Sequence, residues 1–393
     1  MKRLEYDAVI AGVGVSGLFT ALHLPSDMKI LMITKEDMES CDSMLAQGGI
    51  CVMLNENDYD SFFEDTMHAG HYENRKESVD IMLKNSRNVI NQLIDYGVDF
   101  NRKADGSLNY TKEGAHAKPR ICFHEDLTGK EITTKLQMAV KKLPNVEIMD
   151  YTVMTDIIVE NGICRGIIAT SKDGEELEIR ANDTVLATGG IGGLYEHSTN
   201  FPSLTGDGVR ISKDHGVEME HLDYVQIHPT TLYTEKEGRS FLITESVRGE
   251  GGILLDEDGN RFVNELQPRD VVTKAIHEQM EKDGSKYVRL SFENIPTDEI
   301  LEHFPNIYKK CLEEGYDITK EPIPVVPAQH YFMGGIHVNS DSATTMDHLY
   351  AVGETSCNGV HGRNRLASNS LLESLVFAER AAAKIVEDRK EVK

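Results

Sequence analysis

The 393-residue chain carries 65 Asp and Glu against 41 Lys and Arg, a formal net charge of −24 at pH 7. This acidic balance argues against nucleic acid or an anionic membrane surface as a partner. The length allows two domains, or one large domain with an insertion.

The first residues and the cysteines exclude further classes. Glu5 and Asp7 interrupt the N-terminal start, Gly12 and Gly14 break the next apolar stretch, and no apolar run is long enough to span a bilayer. The six cysteines show no CxxC pair and no zinc-ligand spacing, which is typical of reduced thiols. We therefore expect a cytoplasmic protein with no membrane segment and no metal site.

The chain opens with a strand, a glycine turn, a helix and a second strand, predicted at 6–11, 12–17, 16–24 and 29–34. In the turn Gly12-x-Gly14-x-x-Gly17, the first glycine allows the tight turn and the second lets backbone approach a pyrophosphate. The third lets the helix pack on the strand. The motif predicts a dinucleotide site made by Gly12, Val13, Gly14, Val15, Ser16 and Gly17.

The end of the second strand leaves the identity of the dinucleotide open. An acidic residue that holds a ribose is expected there, but Lys35 occupies the position and Glu36 follows it. This pattern departs from a standard NAD site.

The later elements suggest a sheet domain interrupted by an insertion. We expect a glycine turn at 43–50, a helix at 77–97, strands over 146–170 with a turn at Asn161-Gly162, and a further pair of strands at 175–187. Two short apolar strands end in glycines, at Gly189-Gly190 and at Gly353-Glu354. The residues between these two strands do not show the alternation of strands and helices that is typical of βαβ units. The predicted fold is therefore α/β, with a Rossmann-like dinucleotide domain (1–220 and 330–393) and an inserted α+β capping domain (221–329).

Five polar segments are candidates for binding an anionic substrate. Arginine binds carboxylates through a planar fork, and histidine adds hydrogen bonds that depend on its charge. Two arginines and a polar run also precede the last predicted helix, whose N-terminus favours anions. Together they predict a dicarboxylate pocket. The segments are 226–230, 244–252, 268–270, 329–335 and 362–373.

At this point the chain resembles a known family, the flavoproteins of succinate dehydrogenases, fumarate reductases and L-aspartate oxidases, with the oxidase branch nearest. The resemblance runs from Tyr6 to about Ala383. It implies FAD as the dinucleotide, with the cap closing over the isoalloxazine. The motifs that carry it are AQGG at 46–49, ATGG at 187–190, TGDG at 205–208, HPT at 228–230, TESVRGEGG at 244–252, PRD at 268–270, HYFMGG at 330–335 and NRLASNSLLES at 364–374.

The resemblance also implies roles for individual residues. Arg269 matches the family's catalytic arginine, and Glu245 with Arg248 matches a proton relay that leads to it. The positions matching residues that hold the substrate carboxylates are His228, Thr244, His330 and Arg365. Beyond the glycine turn, the positions matching the FAD site are Lys35, Ser43, Ala46, Gln47, Gly48, Asp207, Glu354, Ser370 and Leu371.

Two positions separate the branches of this family. Membrane-bound succinate dehydrogenases carry a histidine joined covalently to FAD where this chain has Asp42, so we expect noncovalent FAD. The oxidases carry a glutamate that recognises the substrate amine, and Glu113 is at the corresponding place. A buried carboxylate beside an ammonium is physically sensible because each neutralises the other.

The expected function is oxidation of L-aspartate to iminoaspartate, with oxygen or fumarate as electron acceptor, at the start of NAD biosynthesis. The expected ligands are the dicarboxylates L-aspartate and fumarate, and quinolinate synthase would take up the unstable imine.

Three alternatives stay open. The first is a soluble fumarate reductase or succinate dehydrogenase flavoprotein subunit with an iron–sulfur partner, which Asp42 and Glu113 disfavour. The second is a flavin-binding module without turnover, which intact Arg269 and His330 disfavour. The third is an NAD-dependent dehydrogenase, which Lys35 disfavours. The family's C-terminal helical region is absent after the helix containing Ala381, which leaves the subunit contacts open.

Overall fold

The computed structural model of the protein describes residues 1–236 and 238–391. Its strands, in chain order, are β1 (Lys2–Ala11), β2 (Ile30–Ile33), β3 (Ile50–Cys51), β4 (Tyr110–Thr111), β5 (Ile121–Cys122), β6 (Val146–Met149), β7 (Val153–Glu160), β8 (Ile163–Thr170), β9 (Glu176–Leu186), β10 (Met219–Glu220), β11 (Val225–Leu232), β12 (Ile253–Leu255), β13 (Val288–Ser291), β14 (Ile323–Phe332), β15 (Gly335–His337), β16 (Leu349–Ala351) and β17 (Ser356–Cys357).

The helices lie between these strands and at the end of the chain. In chain order they are α1 (Val15–His23), α2 (Tyr59–Ala69), α3 (Lys76–Asp95), α4 (Thr128–Val140), α5 (Asp207–Asp214), α6 (Glu245–Gly249), α7 (Arg269–Asp283), α8 (Thr297–His303), α9 (Pro305–Glu313) and α10 (Asn369–Glu391). Among the described residues, no helix combines the length and the apolar character needed to cross a bilayer.

The largest sheet has the strand order β6-β2-β1-β9-β8-β7, and β16 pairs with the end of β9. The pairings among β6, β2, β1, β9 and β16 are parallel, whereas those of β8 with β9 and of β7 with β8 are antiparallel. Side chains alternate between the faces of a strand. Accordingly, Ala8 and Ile10 of β1 pack into one core and Val9 and Ala11 into another. Both faces of the sheet are therefore covered, as parallel sheets require.

The carboxyl ends of the parallel strands meet at one edge of this sheet. Ala11 at the end of β1 is paired with Ile33 of β2 and with Leu186 of β9, and Leu186 is paired with Ala351 of β16. The segments that follow these strands therefore emerge side by side. In open α/β sheets this edge is where ligands bind.

A second antiparallel sheet, in the order β11-β14-β13-β12, lies in the region expected to be a cap. Helices α7, α8 and α9 fall in the same part of the chain. The buried apolar residues of this region form a hydrophobic core of their own, between Leu232 and Val325. The division at 221–329 stays a prediction, and β14 continues through position 329 to Phe332.

The predicted elements agree with this structure within a few residues, with one correction. The segment 175–187 is a single strand, β9, and the expectation of a pair of strands is wrong. The physical reason is that β9 follows β1 in parallel along nearly its whole length, from Leu177 beside Lys2 to Leu186 beside Ala11. A turn inside β9 would break that pairing.

Candidate active site

A long cleft follows the carboxyl edge of the sheet. It consists of two cavities with about 1150 and 630 Å³ of space free of protein atoms, the open mouths included. The cavities share Cys41, Thr188 and Leu204 in their walls, so they are continuous. Small-ligand sites usually enclose about 300–1,000 Å³, so the cleft has room for an extended cofactor as well as a substrate.

The smaller cavity lies beside the ends of β1 and β2. Gly12, Val13, Lys35, Glu36 and Asp207 belong to its wall. The Nζ of Lys35 lies 2.8 Å from Oδ2 of Asp207 and also donates to backbone and hydroxyl oxygens nearby. The hydrogen bonds to these three oxygens fix the position of the Lys35 ammonium. Two carboxylates, those of Asp207 and Glu36, lie at this end of the cleft.

The glycine turn between β1 and α1 provides a place for a pyrophosphate. A Cβ on Gly17 would lie 2.2 Å from the carbonyl oxygen of Gly12, so only glycine lets α1 approach β1 this closely. The first turn of α1 has no acidic residue, and the preceding Gly14 provides no side-chain cap. The Val15 N–H donates to Oγ of Ser43 at 3.1 Å. A helix N-terminus of this kind favours phosphate groups.

Gly12→Ala is expected to weaken FAD binding at least tenfold and to destabilise the protein more than Gly97→Ala does. Both glycines have positive φ, +123° and +90°, so an alanine is strained at either position by about 1–2 kcal/mol. A Cβ on Gly12 would also lie 2.0 Å from the Ala187 carbonyl oxygen, whereas Gly97 has open space. Thermal melts and FAD titration of the two variants test this. Equal effects would show that the clash is unimportant.

The larger cavity contains the residues that the resemblance assigned to the flavin ring. A Cβ on Gly48 would lie 2.3 Å from Oε1 of Glu113, so only glycine lets the backbone approach that carboxylate so closely. Helix α10 begins beside this cavity, with its N-terminal residues in the wall. The N-termini of α1 and α10 in this wall fit the phosphates and carbonyl groups of a flavin dinucleotide. The predicted cofactor residues in this wall are Gly14, Val15, Ser16, Ser43, Ala46, Gln47, Gly48, Glu354, Ser370 and Leu371.

Asp42 also faces the larger cavity. One carboxylate oxygen accepts a hydrogen bond from the Phe201 N–H at 2.9 Å, and the other has no hydrogen-bond partner among the described residues. Burial raises the pKa of Asp42 to about 7, while the nearby charge of Arg239 opposes that shift.

Arg365 brings a positive charge to the cavity, and no carboxylate within residues 1–236 and 238–391 neutralises it directly. Its Nη1 donates to Oγ of Ser370 at 3.0 Å, and its guanidinium lies 4.3 Å from the ring centre of Tyr331. In the described chain its Nε has no hydrogen-bond partner, and no carboxylate oxygen lies within ion-pair distance of it. Burial, with the charge of Arg269, lowers the pKa of Arg365 to about 10, so it still carries its charge at pH 7.

His228 presents a ring nitrogen to the same cavity. Its Nδ1 lies 3.1 Å from both the N–H and the carbonyl oxygen of Thr230, so Nδ1 can accept from the first or donate to the second. Its Nε2 is buried and has no partner among the described residues. Burial, with the charge of Arg269, holds the pKa of His228 well below its usual range, so the ring is neutral.

Arg269, at the start of α7, leads into a buried chain of charges. Its Nε lies 2.5 Å from Oε2 of Glu245, and Nη2 of Arg248 lies 3.3 Å from the same oxygen. Burial disfavours the charge of Glu245, but the two guanidiniums outweigh it and lower the pKa of this carboxyl. Glu245 and Arg269 are in the cavity wall, while Arg248 lies fully buried behind them. Thr244, also in the wall, precedes α6 and caps it.

Glu113 lies in the same cavity and is held by two hydroxyls. Ser246 donates to its Oε1 at 2.9 Å, and Ser368 donates to its Oε2 at 2.5 Å. Burial and then the charge of Glu245 raise the pKa of Glu113. A cationic group in the cavity would relieve both effects.

Gln226 lies in one of the polar segments, at 226–230, and connects two parts of the site. Its Oε1 accepts from Nη1 of Arg269 at 2.9 Å, and its Nε2 donates to the Arg365 carbonyl oxygen at 2.8 Å. The sequence signal that could have placed Gln226 in the site is the strand period. Residues two apart in a strand share a face, and Gln226 lies two residues before His228 in β11.

Glu354 makes the stability of the FAD-free protein depend on pH. Burial, with the charge of Asp42, raises its pKa to about 8. The folded state therefore holds this proton at pH values where the unfolded chain has lost it. The contribution of Glu354 to stability is fully present below its unfolded pKa and is lost as the pH rises from that value toward 8.

Glu354→Gln is expected to be less sensitive to pH than the unmodified FAD-free protein between pH 7 and 8. The amide keeps an acceptor for the Phe332 N–H, now bound at 2.8 Å, but it has no charge to bury. The difference in unfolding free energy should amount to about 1 kcal/mol across this interval. Thermal melts at the two pH values measure it. Parallel shifts of the two proteins would contradict the role of Glu354.

Comparison with known proteins defines the class first. The FAD binding domain family matches residues 7–371. A quinol fumarate reductase from E. coli superposes with a TM-score of 0.93 at 32% identity, covering 100% of this chain and 72% of that one. The fold and the cleft are those of an FAD-dependent oxidoreductase of the succinate dehydrogenase and fumarate reductase class.

The L-aspartate oxidase of Clostridium perfringens is 50% identical over 386 residues, which are 98% of this chain and 87% of that protein. A chloroplastic L-aspartate oxidase of Nicotiana tabacum is 39% identical over 96% of this chain and 61% of that protein. The chain belongs to the L-aspartate oxidase family. The family and the α/β fold class expected from the sequence are confirmed.

The structure brings the predicted site residues together, with two set back from the cleft. Gly17 supports the turn rather than lining a cavity, and Arg248 is reached only through Glu245. The other predicted residues lie in one of the two cavity walls. Their roles stay proposals.

Proposed function

We propose that this chain oxidises L-aspartate to iminoaspartate, with oxygen or fumarate as the electron acceptor, at the start of NAD biosynthesis. The observation that carries this proposal is the presence of Glu113 in one cavity with Arg365 and His228. An amino dicarboxylate needs a carboxylate for its ammonium and cations or N–H donors for its carboxylates. This cavity offers both.

The substrate carboxylates bind Arg365, His228, His330 and Thr244. Arg365 is suited to this task because its guanidinium forms no ion pair with the residues that the structure describes. A planar guanidinium fork matches a carboxylate with two parallel hydrogen bonds. His228 adds a neutral ring held by Thr230, and it donates to the carboxylate in its Nε2–H form. The histidine supplies direction without adding another buried charge.

The cofactor is FAD, which supplies the hydride acceptor for C2 of aspartate when it is bound. The glycine turn, Lys35 and Asp207 would hold its adenine and pyrophosphate half, and the wall of the larger cavity would hold its ring. We also propose that binding is noncovalent, because Asp42 is a carboxylate where covalent relatives carry a histidine. Acid precipitation should release all the flavin into the supernatant. Flavin retained in the pellet would contradict this.

In the fumarate half-reaction, Arg269 donates the proton to the carbon that develops negative charge. Arginine holds its proton tightly, so the acceptor must be strongly basic and the guanidinium must be reprotonated quickly. Glu245 at 2.5 Å and Arg248 at 3.3 Å from Glu245 form the reprotonation path. In aspartate oxidation, Arg269 contributes charge and orientation.

The test is anaerobic bleaching of the flavin absorbance of the FAD-loaded protein. L-aspartate and succinate are added separately, followed by fumarate or air. Bleaching by aspartate alone, reversed by fumarate and by air, is the expected result. Bleaching by succinate and not by aspartate would place the chain with the succinate dehydrogenases and overturn the role of Glu113.

We also propose that residues 221–329 form a cap, since Arg269 and Glu245 reach the cavity from that region.

We propose that quinolinate synthase consumes the product, because an imine hydrolyses in water. Adding quinolinate synthase and its second substrate to the running reaction should convert aspartate to quinolinate. Formation of oxaloacetate alone would contradict the coupling.

A further inference from the structure

The two ring nitrogens of His330 have different surroundings. Nδ1 lies 2.7 Å from Oγ1 of Thr199, a buried residue in the loop after β9. Nε2 makes no hydrogen bond within residues 1–236 and 238–391, and the ring belongs to the wall of the larger cavity. Whether Nε2 carries the proton therefore decides what His330 offers to a ligand.

The contacts of Thr199 indicate where its single hydroxyl proton points. Apart from Nδ1 of His330, the other acceptor near Oγ1 is the Gln329 carbonyl oxygen, at 3.4 Å. That carbonyl already accepts from the Thr199 N–H at 2.9 Å. A hydroxyl at 2.7 Å from a ring nitrogen makes much the stronger hydrogen bond. The contact at 3.4 Å is longer than an ordinary O–H···O hydrogen bond, so Nδ1 is the better placed acceptor for the hydroxyl proton, and this direction puts the ring proton on Nε2.

The loop that carries Thr199 is anchored on several sides. Asn200 donates to the His330 carbonyl oxygen at 3.1 Å, and Arg239 donates to the Thr199 carbonyl oxygen at 3.2 Å. The Phe201 N–H donates to Asp42 at 2.9 Å. These bonds hold the threonine hydroxyl in register with the imidazole, so the contact is a built feature of the fold.

His228 is the neighbouring imidazole, and it has no hydroxyl partner of this kind. Its Nδ1 lies 3.1 Å from both the N–H and the carbonyl oxygen of Thr230. The two imidazoles lie 5.0 Å apart with their planes at 73°. Burial and then the charge of Arg269 keep the pKa of each ring well below its usual range. Both rings are thus neutral, and each Nδ1 makes a hydrogen bond with the protein.

We propose that Thr199 is a positioning residue that fixes His330 as the Nε2–H tautomer and so makes it a hydrogen-bond donor to a substrate carboxylate. If the other tautomer formed, a nitrogen lone pair would face the carboxylate and repel it. The carboxylate part rests on the proposed function, whereas the tautomer assignment does not.

The test uses FAD-loaded protein labelled with ¹⁵N-histidine. NMR distinguishes the two tautomers, and His330→Asn identifies the signals of this ring. The unmodified protein should show the Nε2–H form. Thr199→Val should shift the ring toward Nδ1–H and raise the dissociation constant of succinate, read from the flavin absorbance, by roughly tenfold. Thr199→Ser should keep the tautomer and the affinity.

Thr231→Val is the matched control. Thr231 is fully buried, and its hydroxyl donates to the Val326 carbonyl oxygen at 2.7 Å rather than to a histidine. It should lower stability without changing the His330 signals. If the valine variant does not fold, Thr199→Ala replaces it.

An Nδ1–H signal for His330 in the unmodified protein would overturn the proposal. So would a valine or alanine variant that keeps the Nε2–H form and the affinity for succinate. A protein that fails to oxidise aspartate but shows the Nε2–H tautomer, lost in the valine variant, would overturn the proposed function and leave the positioning role intact.

Discussion

Arg269→Gln is expected to slow fumarate reduction by about 10³-fold, because glutamine has no proton to deliver to the substrate carbon. General acid catalysis by a positioned side chain contributes about 10²–10⁴-fold. Gln226 can still hydrogen bond to the new amide, so the shape of the wall is kept. Glu245 loses the nearer of its two cationic partners, and burial then shifts its pKa upward.

Stopped-flow reoxidation of the aspartate-reduced protein measures this effect directly. Fumarate should reoxidise the variant about 10³-fold more slowly, while reoxidation by oxygen, which needs no proton from Arg269, should change little. Arg363→Gln is the control, since its side chain is 59% exposed and lies two residues before Arg365. Fumarate reduction within tenfold of the unmodified rate would contradict a general-acid role for Arg269.

Glu113→Gln is expected to reduce kcat/KM for L-aspartate by about 10²–10³-fold and to leave fumarate reduction within a few-fold. The amide keeps the size of the side chain and an acceptor for Ser246, but it has no charge for the ammonium of aspartate. Removing one partner of a buried ion pair costs about 3–5 kcal/mol. Fumarate has no ammonium and should not sense the change.

The two half-reactions are compared in the same preparation, with flavin reduction by aspartate followed by reoxidation with fumarate. Glu250→Gln is the matched control, because Glu250 also accepts a hydrogen bond from a hydroxyl, that of Thr111 at 2.8 Å, but lies outside the cavity wall. Equal losses in both half-reactions would mean that Glu113 supports the wall rather than recognising the amine.

Local features of this protein could be predicted from the sequence because they depend on neighbours along the chain. The turn from Gly12 to Gly17 joins β1 to α1 as expected, since its geometry needs glycines at fixed spacing. The helix predicted at 77–97 is found as α3 because its apolar residues recur with the helical period. The expectation of two strands at 175–187 is wrong because β9 is kept in one piece by its pairing with β1. The paired residues are 175 positions apart in the chain, so local sequence does not indicate that pairing.

The directions of hydrogen bonds and the balance of charges could not be read from the sequence. Asp207 lies 172 residues from the Lys35 that pairs with it, and Ser368 lies 255 residues from the Glu113 that it holds. The sequence motifs predict that these residues belong to the site, but they do not predict which of them contact one another.

What the sequence by itself determined is the family, the dinucleotide turn and the residue types of the site. Only the tertiary structure decided that Arg365 has no ion pair among the described residues, that Gln226 joins it to Arg269, and that Thr199 contacts His330. The physical reason is that strand order brings distant segments to one edge of the sheet, and a proton's position depends on whichever acceptor the fold places nearest.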